Sequence, residues 1–251
     1  VRELCLLFLQ QNFPKLREDA LVEARTCVQQ FIESLQKDIG SKATEINLLN
    51  FKNPDVQACL NDAVLAVARR GKAAHQEILC TLITERIAIQ TSSFKEIGLA
   101  EAIQVTHKLT AEQIAMICLV HFVRSMSISN IQSLADLEPW AKKINPLVQN
   151  SSRLSITQKR HIQYTGACSY IAVVSSDPYN RLKLAYSQLS YDSPENFKIA
   201  LMREAPTYAA LIELYSINEL WCIDLTSVGQ AIALARLSSC IPIPDYSVWL
   251  N

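Results

Sequence analysis

The chain has 251 residues, about half of them hydrophobic, and 24 acidic residues balance its 24 basic ones. This balance excludes the whole-chain field that draws basic proteins to nucleic acid or to anionic membranes. The longest apolar run is about half the roughly 20 residues of a bilayer-spanning helix, and glycine is rare. We therefore expect a mainly α protein with no membrane partner.

Apolar residues in the first half of the chain recur every three or four positions, which is the period of an amphipathic helix. The pattern predicts one long helix from Pro14 to Ile39 and a helical hairpin whose first helix spans Pro54 to Arg70. Asn53 is the expected N-cap of that helix, and Gly71 supplies the turn after it. The segment Ile114–Val123 is apolar nearly all round, so we place it at the centre of the core.

Four helix starts are spaced by about 40 residues, a period typical of helical solenoids. They lie at Phe13-Pro14, Asn53-Pro54, Ser93-Phe94 and Ser133-Leu134. No apolar signature repeats in register with them. Two architectures stay open, an irregular helical bundle and a short array of helical hairpins.

The helical pattern loosens after residue 133, because Pro139 and Pro146 confine helices to short pieces. A polar stretch follows, and it predicts a boundary near residues 149–155. The boundary divides the chain into a helical-hairpin domain, 1–150, and a C-terminal helical subdomain, 151–251. One continuous domain is the alternative.

Two short β-prone runs lie near the C-terminus, Leu220–Leu225 and Ser247–Leu250. They flank a helix predicted from Thr226 to about Leu237. We expect them to form a small two-stranded β element.

Eight cysteines are spread along the chain, never closer than 18 residues, and most lie on apolar helix faces. This is how reduced cysteines behave as core residues, and no signal peptide is visible, so we expect a cytoplasmic protein. The chain begins without Met inside a helical pattern, from which we expect a piece of a longer protein. The four histidines show no metal-ligand spacing, and His121 on the apolar helix is expected in the core. No metal and no cofactor is predicted.

A candidate catalytic group lies where Gly166 interrupts the helical pattern. Cys168 could act as a thiolate nucleophile with His161 as its base and Tyr164 nearby. No orienting Asn or Asp and no oxyanion loop accompany them. A buried turn from helix into extended chain is therefore the favoured interpretation of this segment.

The C-terminal segment combines large apolar residues with few charges, which is typical of a partner surface. It predicts a two-fold dimer interface, and the alternative is that the segment folds back to cap the helical body. The predicted interface residues are Trp221, Ile241, Ile243, Trp249 and Leu250.

Five segments of the chain resemble an uncharacterised bacterial family of mainly helical proteins, known only by locus tags. The resemblance implies a helical, soluble bacterial protein, and it implies no activity and no catalytic residues. The segments are LVEARTCVQQFI (Leu21–Ile32), FKNPDVQACLNDAVLAVARRG (Phe51–Gly71), KLTAEQIAMICLV (Lys108–Val120), IQYTGACS (Ile162–Ser169) and LTSVGQAIALA (Leu225–Ala235).

A helical scaffold with ample apolar surface and no evident site favours a non-enzymatic protein-interaction or self-assembly module. We expect a homo-oligomer that also binds an unidentified protein partner. The regulatory or sensing part of a bacterial stress or phage-defence protein is our hypothesis for its context. A small hydrolase or transferase using the Cys/His pair is the alternative, and nucleic-acid binding, which the charge balance disfavours, is the third.

Overall fold

The computed structural model describes residues 1–13, 18–88, 93–149, 153–171, 177–243 and 245–250. Within these ranges the chain is mainly α with one small antiparallel sheet, as the sequence predicts. None of the described helices is long and apolar enough to cross a membrane. The α-helices are α1 Arg2–Asn12, α2 Glu18–Ser41, α3 Pro54–Arg70, α4 Gln76–Arg86, α5 Ser93–Thr106, α6 Ala111–Ser125, α7 Glu138–Val148, α8 Ile156–Tyr164, α9 Pro178–Ala185, α10 Pro194–Glu204, α11 Pro206–Ile217 and α12 Ser227–Leu237. The strands are β1 Cys168–Tyr170 and β2 Ile223–Leu225, and 3₁₀ helices span Leu48–Lys52, Gly71–Ala74, Leu134–Leu137, Ser187–Leu189, Leu220–Cys222 and Tyr246–Val248.

The chain divides into two compact units, each built from separate stretches of sequence. The first unit comprises Val1–Ala111, Ser227–Arg236 and Pro244–Asn251, and the second comprises Glu112–Thr226 and Leu237–Ile243. The boundary predicted near residues 149–155 lies within the second unit, and its residues 150–152 are outside the described ranges. The division into 1–150 and 151–251 stays a prediction.

Helix α3 begins and ends at the predicted residues. The Asn53 side-chain oxygen accepts a hydrogen bond from the Asp55 amide at 2.9 Å, and Pro54 occupies the first helical position. Gly71 follows with a φ of +54°, and a Cβ there would lie 3.3 Å from the Cys27 Sγ. The turn into the next helix therefore requires glycine.

The core of the first unit lies among α2, α3, α4 and α5; α3 and α4 contact each other, and each of them contacts both α2 and α5. Helix α2 is the predicted long helix, although residues 14–17 of that prediction are outside the described ranges. Helix α12 joins this core closely, because a Cβ on Gly98 of α5 would lie 3.5 Å from the Ser227 Cβ. A segment distant in sequence thereby completes the unit.

Helix α6 is buried along its whole apolar stretch, which confirms the prediction for Ile114–Val123. Every residue from Gln113 to Val123 is buried. Burial lowers the pKa of His121 to about 4, so the imidazole is neutral at physiological pH, as expected of a core histidine. Phe122 packs against Tyr208 of α11, with ring centroids 5.4 Å apart.

Helices α7 and α11 are joined by a half-buried carboxylate. Glu138 accepts hydrogen bonds from the Thr207 amide at 2.9 Å and from the Thr207 hydroxyl at 2.6 Å. These donors lie in the first turn of α11, where backbone amides have no partner within the helix. Burial alone would raise the pKa of Glu138, but the hydrogen bonds from Thr207 and Tyr208 outweigh it and the pKa is lowered.

The sheet pairs β1 with β2, and its location differs in part from the prediction. Cys168 lies opposite Leu225, and β2 falls within the predicted run Leu220–Leu225. The second predicted strand, Ser247–Leu250, is wrong. Residues 246–248 form a 3₁₀ helix because the Asp245 side chain accepts a hydrogen bond from the Ser247 amide at 2.9 Å, which closes a turn.

Candidate functional site

A groove runs along the first unit between α3 and α5. Cavities of about 350 and 550 Å³ open from it and share Gln104 as a lining residue. Positions 55, 62, 66 and 69 of α3 and positions 97, 101, 104 and 108 on the α5 side line these cavities, so one face of each helix forms a wall. Opposite charges mark the two ends, which lie roughly 20 Å apart along α3. We call this feature the α3–α5 groove.

The acidic end of the groove is organised around Arg86, the last residue of α4. Its side chain is 4% exposed and forms ion pairs with Asp55 of α3 at 2.7 Å and with Glu96 of α5 at 3.4 Å. A buried guanidinium needs such partners, because an uncompensated buried charge is strongly destabilising. The cluster therefore clamps three helices together, which explains its charges without a ligand.

The basic end of the groove carries Arg69, Arg70 and Lys108 around the larger cavity. Arg70 donates from Nη1 to the His107 carbonyl oxygen. Among the described residues, none of the three cations forms an ion pair. Burial lowers the pKa of His107, and Lys108, Arg70 and Arg69 lower it further. The His107 Nδ1 atom is buried with no hydrogen-bond partner in the described part of the chain.

Large apolar side chains are exposed around the acidic end of the groove. Leu48, Leu49, Phe94 and Ile97 are between 48% and 65% exposed. The 3₁₀ helix that carries the two leucines leads directly into Asn53, which lines the same cavity as Ile97, and Phe94 lies one turn before Ile97. We call these four residues the apolar patch.

The predicted catalytic residues Cys168, His161 and Tyr164 do not line either cavity. Cys168 is 3% exposed, and burial raises the pKa of its thiol to about 12, so almost none is thiolate at neutral pH. The His161 Nδ1 atom lies 3.2 Å from the Gln113 Nε2 atom. Tyr164 is 85% exposed, and its ring centroid lies 6.4 Å from that of His161. A turn from helix into strand follows α8, as the favoured interpretation predicts, but Tyr164 and Gly166 are exposed, so the turn is not buried.

The predicted interface residues differ in exposure. Ile241 and Leu250 are buried within the chain, whereas Trp221, Ile243 and Trp249 are half-buried. The two buried side chains act as core residues, as the alternative for the C-terminal segment expects. Self-association itself stays a prediction.

The α3–α5 groove was not identified from the sequence. Its lining residues have the three-to-four spacing of any exposed helix face, and such faces are ordinarily solvated. Arg70, the last residue of the predicted helix, adjoins the turn that the sequence predicts at Gly71. In the described ranges, no group of three or more His, Cys, Asp or Glu residues is placed to hold a metal ion.

These features define a mainly helical protein with a charged surface groove, in which the described residues do not bring the predicted catalytic side chains into either cavity. The chain belongs to an uncharacterised family, whose model matches residues 1–193 and 180–250. Comparisons with curated proteins and with solved structures give no match. The family match agrees with the resemblance described in the sequence analysis, and it assigns no activity to the chain.

Proposed function

We propose that this chain is a non-enzymatic protein-interaction and self-assembly module that forms a two-fold dimer through the apolar patch. The observation that carries the proposal is the exposure of Leu48, Leu49, Phe94 and Ile97 at one end of the α3–α5 groove. Grouped apolar side chains on a surface commonly mark a protein-binding site. Water is released when another apolar surface covers them.

A second copy of the chain suits this patch for an electrostatic reason. In a two-fold contact the same patch faces itself, so any unpaired charge beside it would meet an identical charge. Two of the three acids that line the adjoining cavity, Asp55 and Glu96, are paired with the buried Arg86, and Glu101 is the third; this pairing reduces the number of like charges that a two-fold contact would bring together. The chain also has no net charge, so two copies do not repel each other at long range.

The protonation of the Cys168 thiol and the positions of the candidate catalytic residues support a non-enzymatic role. A thiol with a pKa near 12 is a poor nucleophile, and neither cavity contains the proposed base. No disulfide joins the eight cysteines, all of which lie in the described ranges, and this supports a cytoplasmic location as part of the proposal. The proposal keeps the regulatory or sensing part of a bacterial stress or phage-defence protein as the context, following the hypothesis drawn from the sequence.

The test is the molar mass of the protein in solution, measured by light scattering during size-exclusion chromatography at tens of micromolar. The test variant carries Leu49→Asp and Ile97→Asp, which place charges inside the apolar patch. The control variant carries Leu184→Asp and Ile199→Asp, which change two equally exposed residues of the second unit. Circular dichroism establishes that both variants keep their helical content.

We expect a dimer for the wild type and the control variant, and a monomer for the test variant. A monomeric wild type at these concentrations would refute the proposal. A dimer that survives in the test variant would place the interface elsewhere, and thus would refute the role of the apolar patch. Because Ile241 and Leu250 are buried, point variants test the interface better than deleting the C-terminal segment.

A further inference from the structure

The basic end of the α3–α5 groove concentrates more positive charge than the fold accounts for. Arg69 and Arg70 lie in the last turn of α3, where cations interact favourably with the helix dipole. That effect does not explain why Lys108 borders the same cavity, or why no described carboxylate pairs with any of the three. Asp62 lines the same cavity and offsets part of this charge, but three cations against one carboxylate leave the site net positive, so it would attract an anion.

The cavity has the size and the chemistry of a small-molecule site. Its volume of about 550 Å³ lies within the range of roughly 300–1,000 Å³ that is usual for ligand pockets. Arginine presents its N–H groups in a planar fork that matches phosphate oxygens, and lysine adds a point charge. Leu65 and Ala66 supply apolar lining, and Gln104 donates to the Asp62 carboxylate at 2.9 Å beside the cations.

We propose that this cavity binds a small phosphorylated metabolite, with its phosphate group held by Arg69, Arg70 and Lys108. His107 lines the same cavity, so its imidazole can report on an anion bound there. Asp62 and Gln104 face the hydroxyl-bearing part of the ligand. This site goes beyond the proposed dimer, because none of its residues belongs to the apolar patch.

A nucleic-acid chain fits the groove less well than a small ligand does. A polynucleotide would have to continue along the groove from the basic cavity, with one phosphate per nucleotide. Beyond Gln104, however, the groove carries Glu101, Glu96 and Asp55. These carboxylates would repel the backbone of a nucleic acid that continued along the groove, whereas a small phosphate ester ends within the cavity.

The test measures binding of ribose 5-phosphate by titration calorimetry at low ionic strength. Ribose is the control that lacks the phosphate group, and inorganic phosphate is the control that lacks the sugar. The test variant carries Arg69→Gln and Lys108→Gln. The matched control variant carries Arg25→Gln and Lys37→Gln, which remove the same charge from exposed positions of α2 in the same unit.

We expect ribose 5-phosphate to bind the wild type and the control variant, and to bind the test variant about tenfold or more weakly, since hydrogen bonds to charged groups are lost. The His107 imidazole signals in an NMR spectrum should move on adding ribose 5-phosphate and not on adding ribose. The proposal would be overturned if the wild type did not bind ribose 5-phosphate or if the control variant bound it as weakly as the test variant. Equal affinity of the wild type for inorganic phosphate and for ribose 5-phosphate would also overturn it. Tighter binding of a short single-stranded RNA, lost in the test variant, would also overturn it in favour of a nucleic-acid site.

Discussion

Replacing Ile117 by alanine tests whether α6 is the centre of the core. The Ile117 side chain is 1% exposed. The residues next to it in sequence and the four residues three and four positions away along the helix are all buried, so little can move in to fill the space. The substitution removes three carbon atoms, worth about 2.4 kcal/mol at roughly 0.8 kcal/mol for each buried group. The remaining cavity adds to this, and we expect a total loss of about 2–5 kcal/mol in the free energy of unfolding.

The assay is urea unfolding followed by both circular dichroism and tryptophan fluorescence, since coincident curves are needed to treat unfolding as two-state. Ile199→Ala is the matched control, because Ile199 lies on α10 of the same unit and is 56% exposed. Its effect should stay within about 0.5 kcal/mol. An unchanged midpoint for Ile117→Ala at an unchanged m-value, or a loss no larger than that of the control, would refute the assignment of the core.

Three further predictions concern a carboxylate, a turn and a thiol. The folded-state pKa of Glu138 is lowered, so its ionised form stabilises the fold above the unfolded pKa, and this stabilisation is lost as the pH falls through the folded pKa. In unfolding measured at several pH values, Glu138→Gln should remove this pH dependence of the unfolding free energy, and Thr207→Val should reduce it. Gly71→Ala should lower the unfolding free energy by about 1–3 kcal/mol, because Gly71 has a positive φ that alanine adopts only with strain. Gly40→Ala, in helix α2 with open space around it, should raise the unfolding free energy by about 0.5–1 kcal/mol, and a loss for both variants would contradict the reasoning. Cys168 should react with iodoacetamide only on unfolding, because the thiol is buried and its pKa is raised, and rapid labelling of the native protein, located by mass spectrometry, would contradict this.

Local chemistry explains which parts of the fold were predictable. Asn53, Pro54 and Gly71 act on their own neighbours, so the bounds of α3 could be predicted from residues adjacent in sequence. The all-round apolar pattern of α6 likewise implies burial wherever the helix packs. Helix bounds and an apolar pattern of this kind depend only on residues close in sequence, so distant contacts in the folded protein do not alter them.

Features that depend on contacts distant in sequence were not predictable. The partner of β2 is β1, more than fifty residues earlier, and no local pattern identifies it. The β-prone run at residues 247–250 was overridden by the Asp245 side chain, which favours a turn. The α3–α5 groove needs two helices to be adjacent, and a single sequence does not give that arrangement.

The first unit is built from separate stretches of the chain, and this affects how it folds during synthesis. Its N-terminal part, Val1–Ala111, is made early, but the segment Ser227–Arg236 that packs beside Gly98 is made only after Glu112–Thr226. At typical translation rates this interval lasts on the order of ten seconds. During that time the nascent chain exposes the surface that α12 later covers, so we expect it to engage ribosome-associated chaperones until α12 has left the ribosome and can pack there.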